Sequence, residues 1–127
     1  MTEQEVKKHK GTAADKISKL TETAELYDLY AALLTEKQAL SLCLFYEEDF
    51  SLSEIAEISG GSRQAAHDMI RRGEEMLMYY EQCLHLAEKR HRQMELLTRF
   101  NDSVDQVTHA ETRENLRRLT ALLEEEI

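Results

Sequence analysis

Five side chains able to read or grip a nucleic acid recur within ten residues: Arg63, Gln64, His67, Arg71 and Arg72. At helical periodicity they take the exposed side of a segment whose other side carries Ala66, Met69, Ile70, Gly73, Met76 and Leu77. An arginine at the start of such a helix can pair with guanine or hold a phosphate, and a glutamine can pair with adenine. Arg71 and Arg72 lie where a helix in the groove runs against the backbone, so they position rather than read. Ser62 caps the helix, and its backbone amide at the helix start is placed to meet a phosphate. In front of it, Leu52–Ile58 makes a short helix and Gly60-Gly61 a tight turn. The whole reads as a helix-turn-helix, in which the first helix sets the angle of a second that enters a major groove about 12 Å wide. The competing reading is that Arg63, Arg71 and Arg72 only solvate the helix and pair with Asp68, Glu74 and Glu75 three or four residues away.

Composition narrows the classes of function. The 127 residues carry a formal net charge of −9 and no proline, with 32% charged residues and only four glycines. This favours an all-α protein of one domain plus extensions. The acidic balance is the opposite of the footprint of a strong non-specific DNA binder. Residues 35–80 hold four Lys or Arg (Lys37, Arg63, Arg71, Arg72) against nine Asp or Glu, so any phosphate-facing surface must be small and local. The same balance suits a basic protein partner through electrostatic complementarity. The charged N-terminal stretch lacks a signal-peptide core, and no run of apolar residues is long enough for a membrane helix. A cytoplasmic protein without membrane contact is the expectation. Cys43 and Cys83 sit among apolar neighbours and are expected as reduced, buried thiols.

The elements that must position the site follow from capping residues and apolar spacing. Residues 1–20 are polar and Lys-rich and are expected as a frayed or weakly helical arm. Leu26, Leu29, Tyr30, Leu33 and Leu34 mark one face of a core helix. Thr35 with Gln38, and Ser51 with Glu54, are capping boxes that open the next two helices, the second burying Leu52, Ile55, Ala56 and Ile58. Ser62 opens what the periodicity predicts as the longest helix, with an apolar row continuing through Tyr80, Cys83, Ala87, Met94 and Leu97 until Asn101-Asp102-Ser103 breaks it. Thr108 with Glu111 is a third capping box, for a last helix striped with Leu116, Leu119, Leu122, Leu123 and Ile127. That stripe requires a partner surface, either by folding back as a hairpin or by pairing with a second protomer through Leu116, Leu119 and Leu123. The resulting organisation is an arm at 1–20, a helix-turn-helix domain at 21–85 and a helical extension at 86–127.

These residues carry a family resemblance. From Leu26 to about Leu84 the chain resembles the YlxM family of small bacterial proteins, through L-Y-D-L-Y-x-x-L-L-T-x-K-Q, F-S-L-S-E-I-A-E after the acidic Glu47-Glu48-Asp49, S-R-Q-A-A-H-D-M-I-R-R and M-L-M-Y-Y-E-Q-C-L. The family's helix-turn-helix is similar to region 4 of sigma-70-type factors, and its members are encoded beside the signal recognition particle GTPase. The resemblance implies an all-α, sigma-70 region 4-like fold of the winged-helix-like superfamily, with a long recognition helix extending into a C-terminal helical arm. It implies no catalytic activity and no cofactor. Its expected partners are DNA, or the RNA or protein of the signal recognition particle, in a regulatory or accessory role in that pathway; a helical scaffold that binds no DNA is the alternative. By position it points to Ser62, Arg63, Gln64, His67, Arg71 and Arg72 as the nucleic-acid face. Gly61 and His67 depart from the family's usual Val and Tyr.

Other chemistry is poorly supported. His85 and His91 with Glu81, Glu88 and Glu95 share helical spacing but read as solvated surface rather than metal ligands. Gly60-Gly61-Ser62 lacks the preceding strand and following lysine of a phosphate loop. No activated nucleophile or acid–base pair is apparent, so an enzyme is not expected.

Overall fold

The computed structural model describes residues 13–127. Among them every regular element is helical: α1 Ala13–Tyr30, a 3-10 turn Ala31–Leu33, α2 Glu36–Tyr46, α3 Leu52–Ser59, α4 Arg63–Leu84, α5 Leu86–Val104 and α6 Ala110–Glu126. The all-α fold follows from a chain with no helix-breaking proline and with capping residues where helices must start.

Two of those starts are the capping boxes read from sequence. Thr35 accepts from the Gln38 amide at 3.2 Å, and Ser51 accepts from the Glu54 amide at 3.1 Å, each returned by the Gln38 or Glu54 side chain. The third is different. α6 is capped by His109, whose Nδ1 accepts from the Thr112 amide at 3.2 Å, so Thr108 and Glu111 do not form the box. An unprotonated imidazole nitrogen substitutes here for the hydroxyl or carboxylate that capping rules anticipate.

The chain gathers into two compact units, one ending at Leu84 and the other running from His85 to Ile127. In the first, α4 packs against α1, α2 and α3. Its buried stripe, Ala66, Ile70, Gly73 and Leu77, shares the core with Leu26 and Tyr30 of α1, Leu42 of α2, and Ile55 and Ala56 of α3. A β-carbon at Gly73 would lie 2.9 Å from Leu42 Cδ1 and 3.2 Å from its Cγ, so glycine at this position is what lets α2 and α4 approach.

Two tyrosines tie the neighbouring helices to α4 through carboxylates. Tyr30, with no solvent exposure, donates to Glu81 Oε1 at 2.9 Å, and Tyr46 donates to Glu74 Oε1. Burial first, and the Glu74 hydrogen bond second, push the Tyr46 phenol well above the usual tyrosine range. The fold therefore favours the neutral phenol. Its contribution is fully present below the unfolded value of about 10 and is lost as pH rises above it. Tyr46→Phe is expected to cost about 1–3 kcal/mol at neutral pH, because Glu74 loses its donor. It should also flatten the fall in stability above about pH 10. Urea titrations at neutral and alkaline pH check this; an unchanged alkaline slope would show that Tyr46 is not the titrating group.

Several expectations are corrected. Of the arm expected as frayed or weakly helical, residues 13–20 are helical and form the first turns of α1, while residues 1–12 lie outside the described part of the chain. α1 ends at Tyr30, so Leu33 falls in the 3-10 turn and is exposed, and Ile58 at the end of α3 is exposed as well. Cys83 is exposed because it lies off the buried stripe of α4, whereas Cys43 is half-buried; both are free thiols.

The segment predicted as one long helix is two. His85 takes the left-handed conformation, φ 55 and ψ 33, and separates α4 from α5. Neither glycine nor proline signals it, but histidine tolerates this region better than a β-branched residue does. The buried stripe of α4 serves the first unit and Ala87 and Val104 of α5 serve the second. α5 then runs to Val104, through the Asn101-Asp102-Ser103 triplet expected to end it.

In the second unit α6 folds back antiparallel on α5. Arg90 Nε donates to the Ile127 carbonyl at 3.3 Å, Asn101 donates to Glu124 at 3.3 Å, and Arg117 pairs with Asp105 at 2.8 Å. Within the chain, the last helix forms a hairpin with α5.

A candidate nucleic-acid interface

The turn of the helix-turn-helix is built from three residues with separate tasks. Gly60 adopts φ 76 in the left-handed region and returns its amide to the Ala56 carbonyl, ending α3. Gly61 adds a second amide to the same carbonyl at 3.1 Å. Ser62 Oγ accepts from the Ala65 amide at 3.0 Å and its carbonyl accepts the first α4 bond from Ala66. Gly60 needs its conformation; Gly61 does not, since a β-carbon there would make only ordinary contacts, 3.6 Å from Ala65. The amides of Gly60 and Gly61 thus share one carbonyl, which closes the turn locally.

From this turn α4 projects Arg63, Gln64, His67, Arg71 and Arg72, all exposed. The partners of these side chains bear on whether the face is merely solvated. Of the three acids within reach, Glu74 is taken by Tyr46 and Asp68 accepts from Gln64 Nε2 at 3.2 Å, with His67 Nδ1 3.8 Å away. Glu75 pairs with Arg71 at 3.2 Å, with both side chains more than half exposed. A pair this wet contributes at most about 1 kcal/mol and exchanges readily for another anion. Arg63 and Arg72 make no side-chain hydrogen bond or ion pair among the described residues.

Asp68 is the residue that sequence reasoning undervalued. It was read as a counter-ion for arginine, yet it lies one turn from Gln64 and beside His67, in the middle of the exposed face. A carboxylate there can accept from cytosine N4 and repels phosphate. The signal was present in the i, i+4 spacing of Gln64 and Asp68, which brings an amide and a carboxylate together on a helix surface.

The metal reading of the α4–α5 histidines is displaced by other roles. His85 forms the helix break and its Nδ1 lies 3.0 Å from Glu88, while Glu81 serves Tyr30.

Residues 17–118 match the family model UPF0122, described as "Putative helix-turn-helix protein, YlxM / p13 like". The chain belongs to the UPF0122 family. Similar UPF0122 proteins include one from Halalkalibacterium halodurans, 44% identical over 99 residues that cover 78% of this chain and 85% of the relative. Another, from Symbiobacterium thermophilum, is 41% identical over 98 residues, covering 77% and 92%. A third, from Bacillus velezensis, is 39% identical over 108 residues, covering 85% and 93%. The UPF0122 match takes in the turn, all of α4 and most of the α5–α6 hairpin. It describes a helix-turn-helix family rather than an enzyme family. Within the UPF0122 chain, no described helix is long and apolar enough to cross a membrane.

Proposed function

We propose that this UPF0122 protein is a nucleic-acid-binding regulator that uses Ser62, Arg63, Gln64, His67, Arg71 and Arg72 as its binding face and acts as a homodimer. The observation that carries the reading is the pairing pattern on α4. The acids nearest the arginines are engaged by Tyr46, by Gln64 and by an exchangeable surface contact, so Arg63 and Arg72 remain available to phosphate in an otherwise acidic chain. A small basic patch on one protomer gives little affinity, and two copies spaced on one duplex supply what a single patch lacks.

The family context directs the choice of targets. We take the signal recognition particle pathway as the process served, either through DNA upstream of its own operon or through the particle's RNA. Binding to those two nucleic acids and to random duplex DNA, at two salt concentrations, separates the cases. Charge reversal at Arg63 and Arg71 together should weaken binding roughly 100-fold or more, since each contact is worth about 1–3 kcal/mol. Both positions are exposed, so folding should change by no more than about 0.5 kcal/mol per site. Wild-type affinity in that double variant would remove α4 from the interface. Failure of the unaltered protein to bind any of the three would transfer the function to a protein partner, for which the acidic surface is suited.

A further inference from the structure

A second surface beside the recognition helix draws its residues from three other helices. α1 contributes Lys19, α2 contributes Phe45 and Tyr46, and α3 contributes Leu52, while His67, Ile70, Arg71 and Glu74 face them from α4. Together they line an open cleft of about 380 Å³. An open cleft of this size is larger than a bare anion needs and leaves space for a sugar beside its phosphate.

The charges in this cleft are arranged for an anion. Lys19, Arg71 and, when protonated, His67 are its cations. Lys19 has no side-chain partner among the described residues, and Arg71 is held only by its exposed contact with Glu75. The one carboxylate in the lining, Glu74, accepts from the Tyr46 hydroxyl through one oxygen and keeps its negative charge, against the two fixed cations Lys19 and Arg71. Burial and that hydrogen bond keep the Tyr46 phenol neutral. The floor is apolar, from Phe45, Leu52 and Ile70, with the Phe45 and Tyr46 rings edge to face at 5.1 Å.

We infer that Lys19, with His67 and Arg71, forms a cleft for the nucleic-acid backbone along one flank of α4, Lys19 holding a phosphate and the apolar floor receiving its sugar. A lysine suits this task as a compact point charge without the planar fork that reads a base. The inference deepens the nucleic-acid reading and rests on it. It also gives α1 a role in binding, beyond its place in the core.

Lys19→Gln, Arg71→Gln and Lys37→Gln test the cleft. Lys37 lines a different groove, on the α2–α3 side, and controls for the loss of one positive charge. Binding of each variant to mixed-sequence duplex DNA and to a structured RNA hairpin is measured across a salt series, using whichever probe the unaltered protein binds. Lys19→Gln is expected to weaken binding about three- to tenfold at low salt and to reduce the slope of log K against log salt by about 1, as loss of one phosphate contact requires. Arg71→Gln should do the same and Lys37→Gln should match the unaltered protein. If Arg71→Gln weakens binding but Lys19→Gln leaves affinity and slope unchanged, the cleft is wrong while the function of α4 stands. Equal losses from Lys19→Gln and Lys37→Gln would also overturn it, as a general charge effect. No salt-dependent binding by the unaltered protein to either probe would sink the nucleic-acid reading, and the cleft with it.

Discussion

Leu42→Ala is expected to destabilise the first unit by about 2–5 kcal/mol, the cost of losing a buried leucine and leaving a cavity. Leu42 is 1% exposed and closes against Gly73, where a β-carbon would come within 2.9 Å of it. The same contact predicts a change of sign. Gly73→Ala alone overpacks the α2–α4 contact, at about 1–3 kcal/mol, and recovers about 1 kcal/mol of helix propensity, for a net loss. In the Leu42→Ala background the collision is gone, so Gly73→Ala should stabilise by about 1 kcal/mol. The coupling between the two substitutions should then reach about 1–3 kcal/mol. All five tyrosines, at 27, 30, 46, 79 and 80, lie in the first unit, so tyrosine fluorescence in urea reports this unit by itself. Additive effects in the four proteins would show that Leu42 and Gly73 are not in contact.

Leu119→Glu with Leu123→Glu is expected to convert a dimer into monomers. The second unit buries little of its apolar surface. Between His85 and Ile127 only Ala87, Val104 and Thr120 are buried, while Leu96, Phe100, Leu119, Leu122 and Leu123 are 45–58% exposed. Leu96, Leu97 and Phe100 of α5 join Leu123 of α6 and Ile127, which follows it, along one open groove of about 610 Å³. A two-helix hairpin cannot close a core around such a face, and a second hairpin packed on it makes a four-helix bundle. In that isologous arrangement each substitution occurs twice at one interface, burying carboxylates without partners. Sedimentation should show the mass halved, and nucleic-acid affinity should fall by about 100-fold or more as the two binding faces are uncoupled. A monomeric unaltered protein, or a variant that stays dimeric, would rule out this surface. Leu116 is not tested with them, since it is half-buried and one turn from the buried Thr120 of α6.

Much of the first unit was legible from local chemistry. Ser51 with Glu54, Thr35 with Gln38 and the positive φ of Gly60 are decided within four residues of themselves, so sequence spacing suffices to find them. The stripe Ala66, Ile70, Gly73 and Leu77 is equally readable, since helical periodicity and burial coincide there. Features that depend on distant partners were not. The ends of α1 and α3 place Leu33 and Ile58 in solvent despite their spacing, because a periodic face is buried only as far as its neighbours extend. His109 as a cap was missed because imidazole is an uncommon acceptor at that position.

The proposed binding face divides along the same line. Sequence alone determined that Arg63, Gln64, His67, Arg71 and Arg72 share the exposed side of a helix opened by Ser62 after a glycine turn, because helix geometry fixes which residues are neighbours at three and four positions. Only the tertiary structure decided which charges on that side are committed. Tyr46, 28 residues away, takes Glu74, and Lys19 enters the same flank from α1. It also decided that the apolar row beyond Leu84 belongs to a separate hairpin, broken from α4 at His85. Side chains distant in sequence compete for the same carboxylates and the same apolar surface, and that competition is settled only when the helices are packed.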